Sequence, residues 1–202
     1  SELTECYLDD LTLGGPQSQV GQDVQRVVKV GNEMGLTLNI SKCELIAHPG
    51  VAVNDPFLRR FQRVNVGDSV LLGAPLFTGQ TLDACWKERC DEMSRAVDRL
   101  SMIASQDALI LLRASFSAPR VQHLMRCSPS VNNRSLETFD ELLQSALTRI
   151  TNCNLSDSQW LQASLTIREG GLGVRRVSTL ALPAFLASAA STLSLQDSIL
   201  SR

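Results

Sequence analysis

Two kinds of hydrophobic spacing divide this chain. Up to about Thr81 the apolar positions come in short runs. Cys6-Tyr7-Leu8 and Leu11-Thr12-Leu13 are β-prone and flank the polar pair Asp9-Asp10, and Gly14-Gly15-Pro16 closes the unit. Strand, polar break, strand predicts a tight hairpin. Val20, Val24, Val27 and Val28 then recur at helical spacing, and Gly31 and Gly35 weaken and stop that helix. Leu36–Ile40 alternates as a strand would, Ser41-Lys42 turns, and Cys43–Ala47 reads as the next strand. After a polar loop, Ser69–Gly73 predicts a further one.

From about Leu82 the period becomes helical. Trp86, Cys90, Met93, Val97, Leu100 and Ala104 form a heptad seam. It suits either a helix within a bundle, the preferred reading, or a coiled coil with a separate partner. Further helices are expected at Asp107–Ser115, from Pro119 to Met125, along the stripe Leu136 to Ile150 with Ser135 as N-cap, and at Asp157–Ser164. Gly170-Gly171 reads as a turn, and Ser178 to Leu195 as a last helix kinked at Pro183. The fold expectation is α+β: residues 1–81 a hairpin, helix and short strands, residues 82–202 an α-helical bundle.

Composition narrows the function classes. Hydrophobic residues make up 44% and aromatic residues 4%, so the core is expected to be aliphatic and mostly helix on helix. No apolar run reaches the ~18 residues of a membrane span, so no membrane role is expected, and Ser1–Cys6 lacks the features of a signal peptide. The six cysteines form no Cys-x-x-Cys pair and neither His48 nor His123 lies by one, so a zinc site is not expected. They read as reduced thiols of an intracellular protein, nuclear or cytoplasmic. The net charge of −2 argues against a freestanding nucleic-acid-binding domain.

Asp9-Asp10 is the sharpest chemical signal. Adjacent carboxylates at a hairpin tip repel each other unless a cation lies beside them, and a hard divalent ion such as Mg²⁺ is the natural one. The alternative is a solvated turn. Three motifs in order favour the first reading. Tyr7-Leu8-Asp9-Asp10 resembles the catalytic hairpin of reverse transcriptases. Gly35-Leu36-Thr37-Leu38-Asn39-Ile40-Ser41-Lys42-Cys43-Glu44 resembles that family's next motif, and Leu71-Leu72-Gly73 the Leu-Gly segment opening its primer-contacting hairpin. The resemblance is to non-LTR-type retroelements, whose polymerase region runs on into helices and a turn like Gly170-Gly171-Leu172-Gly173.

The resemblance implies a fragment of an RNA-directed DNA polymerase, the C-terminal palm plus a thumb-like helical region. RNA template, DNA primer and dNTP are the implied partners, and Mg²⁺ the implied cofactor, weakly held or absent in this fragment. Asp9 corresponds to the metal-binding aspartate and Asp10 to its assisting neighbour, while Tyr7 and Gly73 are expected near the primer. Lys42 stands where the family has a lysine proposed to protonate the leaving pyrophosphate, a role suited to a cationic acid. Arg113, Arg120 and Arg126 are candidates for phosphate contacts, scattered solvent-facing arginines being the other reading. The family also needs an aspartate on an earlier strand, and only six residues precede Tyr7. Asp55, Asp68 and Asp83 do not recreate it, so inactivity in isolation is expected. A helical interaction module, or a nucleic-acid-binding remnant without catalysis, is the alternative. His123, Trp86 and Trp160 read as structural.

Overall fold

The structure, a computed structural model, describes residues 1–200, with Leu200 described by its backbone alone. It is α+β, with short strands first and helices after. Two compact units divide it: Ser1–Val66 with the stretch from Thr192, and Gly67–Ser191.

In the first unit, β1 (Leu3–Tyr7) and β2 (Asp10–Gly14) pair antiparallel in a two-stranded sheet, Tyr7 opposite Asp10. α1 (Gln17–Glu33) follows, and Gly35 turns the chain away at φ 80°. Gly21 has a steric reason. A Cβ there would lie 2.4 Å from the Asp55 carboxylate, which accepts the amides of Phe57 and Leu58 at 2.8 and 3.0 Å. The strand expected over Leu36–Ile40 does not form. That stretch is irregular and runs into a 3₁₀ turn, Ile40–Lys42, closed by Cys43 N–H donating to Ile40 O. With no neighbouring strand, its alternating pattern has no ladder to enter. β3 (Glu44–Ile46) does form, and it pairs parallel with β4 (Gln62–Val64). Only Val24 and Leu58 are buried apolar side chains in residues 1–66, so this unit carries little core of its own.

The second unit begins with the hairpin β5 (Val70–Leu71) and β6 (Ala74–Pro75), turning at Leu72-Gly73. The strand expected over Ser69–Gly73 is therefore cut to Val70–Leu71, with Leu72-Gly73 in the turn and a second short strand after it. Leu72 and Gly73 both have positive φ, 49° and 78°, as a type I′ turn requires. Ala74 and Pro75 are buried against α2 (Gln80–Leu100) and α4 (Ala118–Cys127), so within its unit the hairpin packs on the helices.

The expected seam is real as far as Leu100. Trp86, Cys90, Met93, Val97 and Leu100 are buried, and α2 packs on α5 (Ser135–Thr151). The chain itself covers this face, which answers the coiled-coil alternative. Ala104 falls outside the seam, exposed before α3 (Ser105–Leu111), because α2 has ended. Trp86 meets Phe139 edge to face, centroids 6.4 Å apart. After α3 the backbone widens into a π-helical segment, Leu112–Phe116, closed by Ser117 N–H donating to Leu112 O at 2.9 Å. Ser135 is the first residue of α5 rather than its cap; Asn133 Oδ1 accepts the Ser135 amide. α6 (Asp157–Ala163) opens with a capping box between Ser156 and Gln159.

α7 (Val177–Ser191) holds Pro183 within it, and α8 (Leu193–Leu200) follows a break at Thr192. Asp140 of α5 caps α7 from outside. Its buried carboxylate accepts Val177 N–H at 2.6 Å, Ser178 N–H at 3.2 Å and the Ser178 hydroxyl. Burial pushes this carboxyl above its ordinary pKa, against the pull of those donors. Among the described residues no single helix is long and apolar enough to cross a membrane.

Candidate functional site

Tyr7, Leu8, Asp9 and Asp10 are brought together by the β1–β2 turn. With Tyr7 opposite Asp10, only Leu8 and Asp9 remain to reverse the chain. Leu8 has φ 56°, a left-handed conformation that costs a branched residue roughly 1–2 kcal/mol. Glycine would relieve it, and strain of this kind collects at functional turns. Leu8 is 85% and Tyr7 61% exposed, and both aspartates are exposed. An aromatic ring, an apolar tip and two carboxylates thus stand in water on two strands with both sheet edges open.

The aspartates supply hard oxygen donors of the kind Mg²⁺ takes. Among the described residues, however, no group of three or more His, Cys, Asp or Glu side chains is placed to hold a metal ion. The residues present thus offer one edge of a carboxylate site and do not fit a complete two-metal centre. Lys42, exposed on the 3₁₀ turn, makes no ion pair among the described residues.

The remaining candidates lie in the helical unit. Gly73 forms the β5–β6 turn with Leu72, whose carbonyl oxygen lies 3.0 Å from His123 Nε2 on α4. Arg113 sits on the π segment with its stem under the glycine-rich turn; a Cβ on Gly173 would come within 2.9 Å of Arg113 Cδ. Arg120 is engaged: its Nε and Nη2 both donate to Glu92 Oε2, at 3.2 and 2.8 Å, and Arg89 donates to the same oxygen at 2.7 Å. Burial tends to raise the Glu92 pKa, but these donors outweigh it and hold the carboxyl below its ordinary value. Arg126 is exposed and makes no ion pair among the described residues. The three arginines are therefore not an equivalent set of free phosphate contacts.

An open groove of about 390 Å³ runs beside Arg120, floored by Met93, Ala96, Leu100, Ile103, Leu111 and Phe116 and edged by Arg95 and Arg99. Sequence reasoning missed it, and also the contact of His123 with the Leu72 carbonyl and with Cys127, although the four-residue spacing of His123 and Cys127 on an expected helix was legible. Comparison of the chain with family models, with curated proteins and with solved structures finds no match.

Proposed function

We propose that this chain is part of a retroelement RNA-directed DNA polymerase, the C-terminal palm followed by a thumb-like helical region, and that it does not extend a primer by itself. The observation that carries the reading is the strained two-residue turn, with Leu8 at positive φ, presenting Asp9 and Asp10 to solvent. A plain solvated turn has no need of a leucine in that conformation. The open edges of the β1–β2 sheet and the sparse core around it suit a hairpin whose partner strands belong to a larger palm. In that role Asp9 and Asp10 contribute to a metal-binding carboxylate set completed by residues other than those described. Lys42 faces the departing pyrophosphate, and the Leu72-Gly73 turn faces the primer.

The test is primer extension on an RNA template with Mg²⁺. The chain alone is expected to be inactive. Joined to the segment encoded immediately upstream of Ser1, it is expected to extend the primer, and Asp9→Asn is expected to abolish that. Extension by the chain alone, or a joined protein indifferent to Asp9→Asn, would overturn the reading. A helical interaction module of the same origin is the second reading, favoured by the apolar groove edged by Arg95 and Arg99. A joined protein that never extends a primer would favour it.

A further inference from the structure

All six cysteines are free thiols. Cys90 is buried, donates to the Ser135 carbonyl at 3.4 Å, and burial pushes its pKa up to about 11. Burial also raises Cys43 and Cys85. Cys6, Cys127 and Cys153 are exposed. Among the described residues, Cys127 is the one of these three with a base beside it: its Sγ lies 3.6 Å from His123 Nδ1, one turn earlier on α4.

The other face of the imidazole settles which nitrogen carries hydrogen. His123 Nε2 is 3.0 Å from the Leu72 carbonyl oxygen, and a carbonyl only accepts. Nε2 therefore holds the proton of the neutral ring, and Nδ1 presents its lone pair to the Cys127 thiol. A nucleophile, a base within reach, and a third group orienting the base are the arrangement that activates thiols.

We propose that Cys127 and His123 form a thiol–imidazole pair that makes Cys127 the chain's site of covalent modification by small disulfides. His123 Nδ1 takes the S–H proton, and the thiolate attacks one sulfur of the disulfide R–S–S–R. A new bond forms between Cys127 Sγ and that sulfur, the original S–S bond breaks, and the departing R–S⁻ takes the proton from the imidazolium. Thiol and disulfide exchange partners, with no net oxidant beyond the disulfide itself. The inference uses the helical unit alone and does not depend on the polymerase reading.

The test exposes the full chain briefly to limiting 4,4′-dithiodipyridine at pH 7, quenches with acid and maps the adducts by peptide mass spectrometry. Cys127 is expected to label about ten-fold faster than Cys6 or Cys153. His123→Gln keeps a donor for the Leu72 carbonyl but has no base, and is expected to bring Cys127 to within about two-fold of the other two. Circular dichroism checks that the variant is folded. Labelling of Cys6 or Cys153 as fast as Cys127 in the unaltered chain would overturn the proposal, as would a folded His123→Gln chain with an unchanged Cys127 rate. If the variant does not fold, the ranking in the unaltered chain decides.

Discussion

Replacing Asp140 by alanine removes the cap that α5 supplies to α7. Asp140 is 6% exposed, and the Val177 amide it accepts belongs to a residue with no exposure at all. That N–H would be left buried and unpaired, at a cost of about 1–3 kcal/mol, and a hydrogen bond to a charged acceptor is itself worth about 1.5–3 kcal/mol. The Ser178 amide and hydroxyl, only half-buried, recover part of their loss through water. Arg176 loses the carboxylate 3.7 Å from its Nε, a buried atom that has no other partner among the described residues. Together, the orphaned Val177 amide and the lost hydrogen bonds to the carboxylate give an expected loss of about 3–5 kcal/mol, with the partly exposed Arg176 adding little. Asp140→Asn keeps one acceptor for the Val177 amide, so roughly half that loss is expected. Urea unfolding measures it, because both tryptophans, Trp86 and Trp160, lie in this unit and their fluorescence reports its loss. With a slope of about 2 kcal/mol per molar urea, the alanine midpoint should fall by about 2 M. A loss below about 1 kcal/mol, or equal losses for Ala and Asn, would refute the capping account.

Other expected outcomes follow from the same geometry. Gly171→Ala places a Cβ 2.2 Å from Leu165 O and 2.7 Å from Gln162 O, so a loss of about 3 kcal/mol or more is expected in the same urea assay. Leu8→Gly relieves the left-handed turn, and thermal unfolding of the first unit should not shift downward; a clear destabilisation would mean the leucine side chain packs on something in solution. Glu92 has a lowered pKa, so its contribution is present above the ordinary carboxylate value of 4.5 and is lost as pH falls through its lower folded value. The stability gap between the unaltered chain and Glu92→Gln should therefore be widest near neutrality and close under strongly acidic conditions. Calorimetric titration with Mg²⁺ should give weak binding at most, and tight stoichiometric binding lost in Asp9→Ala would mean a ligand set beyond the two aspartates.

The sequence was most readable where spacing and burial coincide. The α2 seam from Trp86 to Leu100 and the α5 stripe from Leu136 to Ile150 are long and periodic, and both are buried as expected except for the half-buried Leu142. Leu36–Ile40 misled because alternation signals a strand only where a partner strand lies alongside, and none does. Ser69–Gly73 misled because the apolar Leu72 occupies a turn, where side-chain polarity says little about φ. The hairpin was legible from its flanking runs, but its turn falls on Leu8-Asp9, one residue before the polar pair that was expected to form it, and Asp10 opens β2 opposite Tyr7. The engagement of Arg120 by Glu92 was not legible, since it joins residues 28 apart on two helices whose packing no local pattern encodes.

The stretch 128–134 between α4 and α5 has no regular secondary structure, yet buried hydroxyls thread through it. Trp86 Nε1 donates to Ser130 Oγ at 2.9 Å, Ser130 Oγ donates to Ser128 O at 3.3 Å, and Ser128 Oγ donates to Pro75 O at 2.7 Å. Asn133 adds a bond of 2.7 Å to Asp83. A protease needs about as much slack as local unfolding provides, and these tethers deny it. The connector should therefore resist nicking and exchange its amide hydrogens slowly, while the hairpin of the first unit, with open edges and few buried side chains, is cut and exchanged first.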